Sequence, residues 1–298
     1  MLINKFNVMK KNAMLFMCAF MGMVVSCESP NDEPSAQVSG QIQIPQYAED
    51  TLVTIQFTNP EIFVQAMTRA DVSTAATRLD MWLTDGETTT EIHQASTDAG
   101  FGTASVSLNK TKTYTLYAIA HRGASSATLS DGVISFPEEK VTQTFWHTST
   151  FSPSITTTLN CELSRIVGIF RIETTDAVPE ECKKFRFVFA DSYTRWNVNG
   201  TPANPVDRTS EIVVTSTNPD GTVALSLYVI PENLTGTTNV DVAVTAFDAD
   251  NQTIEQKTFT APIRANHKTI YRGAFFTTSA LSMAFSVGDW VTDDVIEY

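Results

Sequence analysis

The sequence predicts an all-β protein built from antiparallel β-sandwiches, and three observations carry that prediction. From Val38 onward the dominant apolar period is two, as in Phe185, Phe187 and Phe189 alternating with Lys184, Arg186 and Val188. Such a period places alternate side chains on opposite faces of a strand, so one face is core. Threonine is abundant in the same stretches, which suits half-buried pleated surfaces. Turn signals at Asp85-Gly86, Asp131-Gly132, Asn218-Pro219-Asp220-Gly221 and Asp248-Ala249-Asp250-Asn251 separate the runs, as short hairpins require. Many short strands at this spacing predict paired sheets that bury their apolar faces against each other.

The chain opens on a different pattern. Lys5, Lys10 and Lys11 precede an uncharged apolar run, Ala13 to Val25, too short to span a bilayer but of the length of a secretory signal. The run stops at Val24-Val25-Ser26-Cys27, which reads as a bacterial lipobox. Cleavage between Ser26 and Cys27 leaves a cysteine whose thiol takes a diacylglycerol, with palmitate among its expected acyl chains. Residues 1–26 are therefore expected to be a lipoprotein signal peptide. Residues 27–36, charged and proline-containing, are expected to form a flexible tether.

The strands come next, in order. Val38/Ile42/Ile44, Val53/Ile55/Phe57, Leu79/Met81/Leu83 and Tyr114/Leu116/Ala118 are assigned to an N-terminal sandwich, residues 37–155. Residues 147–160 are polar with one proline and read as a linker or edge strand. Leu163 to Ile172 is apolar on both faces, which predicts the central strand of a second sandwich, residues 156–298. That domain continues through Phe185–Phe189, Val223–Val229, Val240–Val244 and Leu281–Val287. Residues 69–78 and 178–183 are the best candidates for short helices.

Composition narrows the partners. Removing residues 1–26 takes away three lysines and no acids, moving the formal charge from −13 to −16. An acidic surface supports solubility and makes nucleic acid an unsuitable partner. After cleavage Cys27 carries lipid, and only Cys161 and Cys182 remain to form a disulfide. If 162–172 and 183–190 pair as antiparallel strands, the two thiols sit roughly 30 Å apart, so both are expected to be free core cysteines.

The usual catalytic signatures are missing: no His-Glu-x-x-His, Gly-x-Ser-x-Gly, phosphate-binding glycine loop or Cys-x-x-Cys occurs. No enzyme activity, cofactor or metal is expected. His93, His121, His147 and His267 stand singly and read as polar strand or loop residues. Asp248, Asp250 and Asn251 resemble the start of a calcium loop, but the glycine and glutamate that such a loop needs are missing downstream. Trp82, Trp146, Tyr193 and Trp196 are candidates for an aromatic sugar platform. Without paired acids placed near them, they read as core or interface packing residues.

One basic site stands apart. Met67-Thr68-Arg69-Ala70-Asp71-Val72-Ser73 is small, polar and helix-weak, between the strand-like stretches 61–65 and 79–83. An arginine-specific protease needs a cation on such an exposed, extensible segment, with Arg69-Ala70 as the bond to cut. Taken alone, Arg69 reads more readily as an ordinary surface arginine in a loop.

Together these segments resemble the fimbrillins of Bacteroides-type bacteria, the subunits of type V pili. The likeness rests on the lipobox, the acidic tether, the Thr-Arg-Ala loop and the strand Arg78-Leu79-Asp80-Met81-Trp82-Leu83. Tyr114-Thr115-Leu116-Tyr117-Ala118-Ile119-Ala120 is similar to the family's tyrosine-bearing strand, although His121 stands where asparagine is common. Leu163 to Ile172, with Val178-Pro179 and Phe185–Phe189, resembles the opening of its second domain, and 266–273 with Gly288-Asp289-Trp290 resembles its final strands. The resemblance implies two tandem Greek-key, transthyretin-like sandwiches and a structural or adhesive fimbrial subunit. It also implies a lipid anchor in the outer membrane, facing outward, and passage into the fimbrium after processing. Cleavage after Arg69 would release residues 28–69, and the vacated groove would accept a strand from another subunit. The implied partners are other fimbrial subunits, the outer membrane, and host proteins or glycans. The alternative is a non-polymerising surface lipoprotein, either a pilus anchor or a glycan-binding sandwich.

Overall fold

A computed structural model describes residues 49–58, 72–277 and 283–289. The expected signal peptide, the expected tether and the expected strand around Val38–Ile44 lie outside the described residues. In chain order the first ten strands are β1 (Asp50–Thr58), β2 (Arg78–Thr84), β3 (Thr89–Ala95), β4 (Thr103–Asn109), β5 (Tyr114–His121), β6 (Thr128–Ser130), β7 (Val133–Ser135), β8 (Thr144–Phe151), β9 (Thr158–Glu162) and β10 (Ser164–Arg165). Eight more follow among the described residues: β11 (Gly168–Thr174), β12 (Lys184–Asn197), β13 (Pro202–Val213), β14 (Ala224–Val229), β15 (Thr238–Phe247), β16 (Thr253–Ile263), β17 (His267–Gly273) and β18 (Ala284–Asp289).

Period-two burial puts these strands into sandwiches. In the first, the sheet β4-β1-β9 faces the sheet β10-β8-β5-β2-β3. Val53, Ile55 and Phe57 of β1 meet Leu79, Met81 and Leu83 of β2 and Leu116 and Ala118 of β5 in one buried cluster. In the second, β14-β11-β17-β18 faces β16-β15-β12-β7-β6, with β13 on the outer side of β12. Phe185, Phe187 and Phe189 are fully buried there against Phe170, Val242 and Val244, as their alternation with Lys184 and Arg186 predicts.

The two sandwiches share a topological device. In each, the second strand of the smaller sheet has an antiparallel partner on one side and a parallel partner on the other: β1 with β4 and β9, β11 with β14 and β17. The parallel pairs depart from the all-antiparallel expectation. They join strands about a hundred positions apart, which no hairpin can reach.

A third apolar cluster ties the halves together. Trp82, Ile119 and Trp146, on the face of the first sandwich turned away from its own core, pack with Trp196, Tyr228 and Ile230 of the second. The β6–β7 hairpin adds to it by pairing with the end of β12. Its turn is Asp131 at φ 51° and Gly132 at φ 74°, the left-handed pair that a two-residue hairpin needs. All described residues fall in one compact unit.

Several local expectations are revised. Leu163–Ile172 is not one strand: Leu163 belongs to the first core, Ile166, Val167 and Ile169 to the shared cluster, and Phe170 and Ile172 to the second core. Its two-sided apolarity reflects a chain passing through three cores. Gly168 allows that passage, because a Cβ there would meet the Arg264 carbonyl oxygen at 2.4 Å. The supposed antiparallel pair 162–172 and 183–190 does not form, since β11 and β12 lie in facing sheets. Cys161 and Cys182 are nonetheless free and buried, one in each core. Residues 178–183 form a turn, with the Cys182 N–H donating to the Pro179 carbonyl. Among the described residues, helix is confined to 3-10 turns at Val72–Thr74 and Pro137–Glu139. The Asn218–Gly221 turn joins β13 to β14 in opposite sheets and is no hairpin.

Candidate functional site

The feature that the sequence singles out as functional surrounds β1. This strand fills the middle of its sheet, antiparallel to β4 from Asp50↔Asn109 to Gln56↔Thr103 and parallel to β9 from Thr54↔Thr158 to Thr58↔Glu162. Further main-chain bonds pin it, from the Thr54 N–H to the Thr157 carbonyl at 2.9 Å and from the Phe57 N–H to the Gly102 carbonyl at 2.9 Å. Val53 and Ile55 are fully buried and Phe57 nearly so, while Leu52, Thr54 and Gln56 face outward. Burying side chains of this size stabilises a strand by about 1.5–3 kcal/mol each. Without β1, the inner edges of β4 and β9 and a trough of the first core would be uncovered.

Described structure resumes at Val72. That residue is buried, and Arg122 grips the turn after it, its Nε donating to the Ala75 carbonyl at 3.0 Å and an Nη2 to the Thr74 carbonyl at 2.8 Å. The Thr77 N–H donates to the His121 carbonyl at 3.0 Å. Residues 72–77 are therefore bonded to the end of β5 and to Arg122 just beyond it, while Val72 packs in the same core as Val53 and Ile55 of β1.

Behind it lies a cluster that the sequence did not reveal. Asp80 of β2 is fully buried, and its carboxylate accepts from three donors: His93 Nδ1 of β3 at 2.7 Å, His121 Nε2 of β5 at 2.8 Å and the Ala127 N–H at 2.8 Å. The Gly123 N–H donates to Nδ1 of His121 at 2.9 Å, which fixes the His121 proton on Nε2. Burial alone would raise the Asp80 pKa, but the bonds from His121, His93 and Ala127 hold it below its ordinary value. The Asp80 bond raises His93 above its ordinary value against the opposing effect of burial. Two histidines read as solitary thus converge on one acid, and only strand register brings them there. The single available signal was an aspartate in the apolar run Leu79–Leu83.

The remaining candidates have simpler outcomes. Ser26, Cys27, Arg69 and Ala70 lie outside the described residues. Trp82 and Trp196 are fully buried and Trp146 nearly so, which removes the tryptophan sugar platform. Asp248 accepts the N–H groups of Asp250 and Gln252 at 2.9 and 2.7 Å, an ordinary Asp-stabilised turn. His147 bonds to the Glu162 carbonyl and to Ser149 of its own strand, and burial lowers its pKa. Burial pushes the Cys161 thiol up to about 12. Among the described residues no three His, Cys, Asp or Glu side chains stand where one metal ion would be held, and no helix is long and apolar enough to cross a membrane.

Comparison with known proteins adds a family and a fold. The sequence profile of a family of unknown function, DUF6562, matches residues 138–290. No curated protein matches the sequence. Among solved structures, a candidate polysaccharide-binding protein of Bacteroides thetaiotaomicron is similar at 13% identity with a TM-score of 0.50, over 80% of this chain and 96% of that one. The fimbrial anchor protein Mfa2 of Porphyromonas gingivalis is similar at 11% identity and TM-score 0.49, over 80% and 97%. A candidate cell adhesion protein of Bacteroides ovatus is similar at 12% identity and TM-score 0.47, over 82% and 99%. At these identities the likeness is one of fold.

Proposed function

We propose, for a chain that belongs to DUF6562, a family of unknown function, the role of a structural or adhesive subunit of a cell-surface fimbria, exported as a lipoprotein and assembled by proteolysis-triggered strand exchange. One observation carries the reading: β1 fills the middle of a sheet, between β4 and β9, and lies just upstream of the Arg69-Ala70 bond. The residue resemblance to fimbrillins and the sandwich fold support it. Export runs through cleavage between Ser26 and Cys27 and lipid attachment at Cys27, anchoring the precursor in the outer membrane.

In the uncut precursor β1 is an intramolecular strand and wins its slot by proximity. Cleavage after Arg69 leaves β1 held, among the described residues, by its ladder bonds and by the burial of Val53, Ile55 and Phe57. A strand from another subunit with apolar residues at alternate positions then competes on equal terms. Arg122 keeps the downstream segment in place during the exchange. The partners in this reading are other fimbrial subunits, and host proteins or glycans at the surface.

Limited trypsin digestion with mass spectrometry and denaturing gels tests the switch. The expected result is a major cut after Arg69, retention of the 28–69 fragment, and then ladders of higher mass. Equal polymerisation by the Arg69→Ala precursor would overturn it. An Arg69 that resists trypsin in a lipid-bearing, monomeric chain would favour the anchor role.

A further inference from the structure

We infer, resting on the strand-exchange reading, that Gln94, Tyr114 and His147 are positioning residues that hold the β1 slot at strand width when β1 is out of it. The slot is then a ready-made acceptor for an incoming strand. The topology creates the need for such a device. Among the described residues β4 and β9 each have β1 as their one ladder partner, flanking it in a three-stranded sheet. Taking out the middle strand leaves two single strands with no main-chain bond between them. Such edges close on each other or peel away unless other bonds fix them.

The facing sheet supplies those bonds. Gln94 of β3 is 2% exposed and lies on the same side of its strand as the buried Ile92. Its Oε1 accepts the Gly102 N–H at 3.0 Å and its Nε2 donates to the Thr103 carbonyl at 2.8 Å, where β4 begins. One carboxamide thus grips two consecutive residues, beside the point where the Phe57 N–H meets the Gly102 carbonyl. The far end of β4 is held likewise: the Asn109 N–H donates to the hydroxyl of the buried Tyr114 of β5 at 3.3 Å.

The opposite wall has its own brace. His147 of β8, on the same side of its strand as Phe145 and Phe151, donates from Nδ1 to the carbonyl of Glu162, the last residue of β9, at 2.8 Å. A carbonyl only accepts, so Nδ1 carries the proton and Nε2 is left to accept the Ser149 hydroxyl at 3.1 Å. Burial lowers the His147 pKa and so favours this neutral form. The ring also meets the Phe57 ring edge-on, with centroids 6.4 Å apart, so one side chain braces a wall and touches the strand in the slot. None of these bonds uses an atom of β1. All of them can persist when it leaves.

Braces of this kind act on one quantity. The apparent affinity of the slot for a strand is the intrinsic affinity scaled by the fraction of empty slots that stand open. Removing a brace lowers that fraction, so capture weakens while release from the filled slot keeps its rate. A residue that merely packs the filled sandwich would instead quicken release.

The test uses the mature chain with a site for a sequence-specific protease placed between residues 59 and 71, which makes it independent of cutting at Arg69. The cut chain is diluted and titrated with a fluorescein-labelled peptide copying residues 49–60; anisotropy reads capture, and a chase of unlabelled peptide reads release. The expected result is saturable capture by the parent, lost when Val53, Ile55 and Phe57 of the peptide are replaced by serine. Gln94→Met and His147→Phe, which delete the bonds but keep the volume or the ring, should each weaken capture about tenfold or more and change release by less than about twofold. His147 is only part-buried, so its variant carries the test if Gln94→Met does not fold. Undiminished capture in the variants, or weaker capture that comes from faster release, would overturn the role of the braces alone. No capture by the parent would overturn strand exchange at this slot and the braces with it.

Discussion

Replacing Asp80 by alanine should destabilise the first sandwich more than any surface change, because three donors lose one acceptor. His93 stands at the sheet edge with 22% of its side chain exposed and can turn to water. His121 and the Ala127 N–H cannot, since both residues are 1% exposed. Each buried donor left unpaired costs about 1–3 kcal/mol, so the two together cost about 2–6 kcal/mol. With a urea slope of about 2 kcal/mol per molar, the unfolding midpoint should fall by about 1–3 M. Asp80→Asn, which keeps one acceptor and loses the charge, should lie between. A midpoint lowered by less than about 0.3 M in Asp80→Ala would refute the idea that the cluster braces β2, β3 and β5.

The same cluster sets a pH signature. The folded pKa of Asp80 lies below its ordinary 3.8, so its contribution is complete above 3.8 and is lost as pH falls through the folded value. The folded pKa of His93 lies above its ordinary 6.5, so its contribution is complete below 6.5 and is lost as pH rises through the folded value. Both contribute fully only between 3.8 and 6.5. The stability gap between the native chain and Asp80→Ala should be widest at about pH 5.5 and narrower at about pH 8.5. A gap that does not change between those two values would refute the histidine's part. Cys27→Ser should move the precursor from the membrane fraction to soluble material, measured by fractionation and blotting, because acyl chains supply the anchor. Gly168→Ala should cost about 1–3 kcal/mol in denaturant unfolding, since the new Cβ would lie 2.4 Å from the Arg264 carbonyl oxygen and backbone must shift. Cys161 and Cys182 should resist a thiol reagent in the native chain and both react on denaturation without reductant, because both are buried, burial raises both thiols and neither is in a disulfide.

How much of this was legible in the sequence depends on the range of the forces involved. The period of two, the hairpin turns at Asp85-Gly86 and Asp131-Gly132 and the buried Phe185/Phe187/Phe189 face are set by neighbours in the chain, so composition and spacing determined them. The expected export signal and the expected cleavage site at Arg69 are equally local readings, and they direct attention to β1. What pairs with what was not local. The parallel partners β9 and β17, the shared core around Trp82, Trp146 and Trp196, and the chain's course from Leu163 to Ile172 through three cores depend on contacts between distant strands. The Asp80 cluster belongs to that second kind. His93 and His121 meet Asp80 through strand register and the placement of three strands in one sheet. Polar side chains have no period of their own to announce such meetings; only the packing of the apolar faces brings them together.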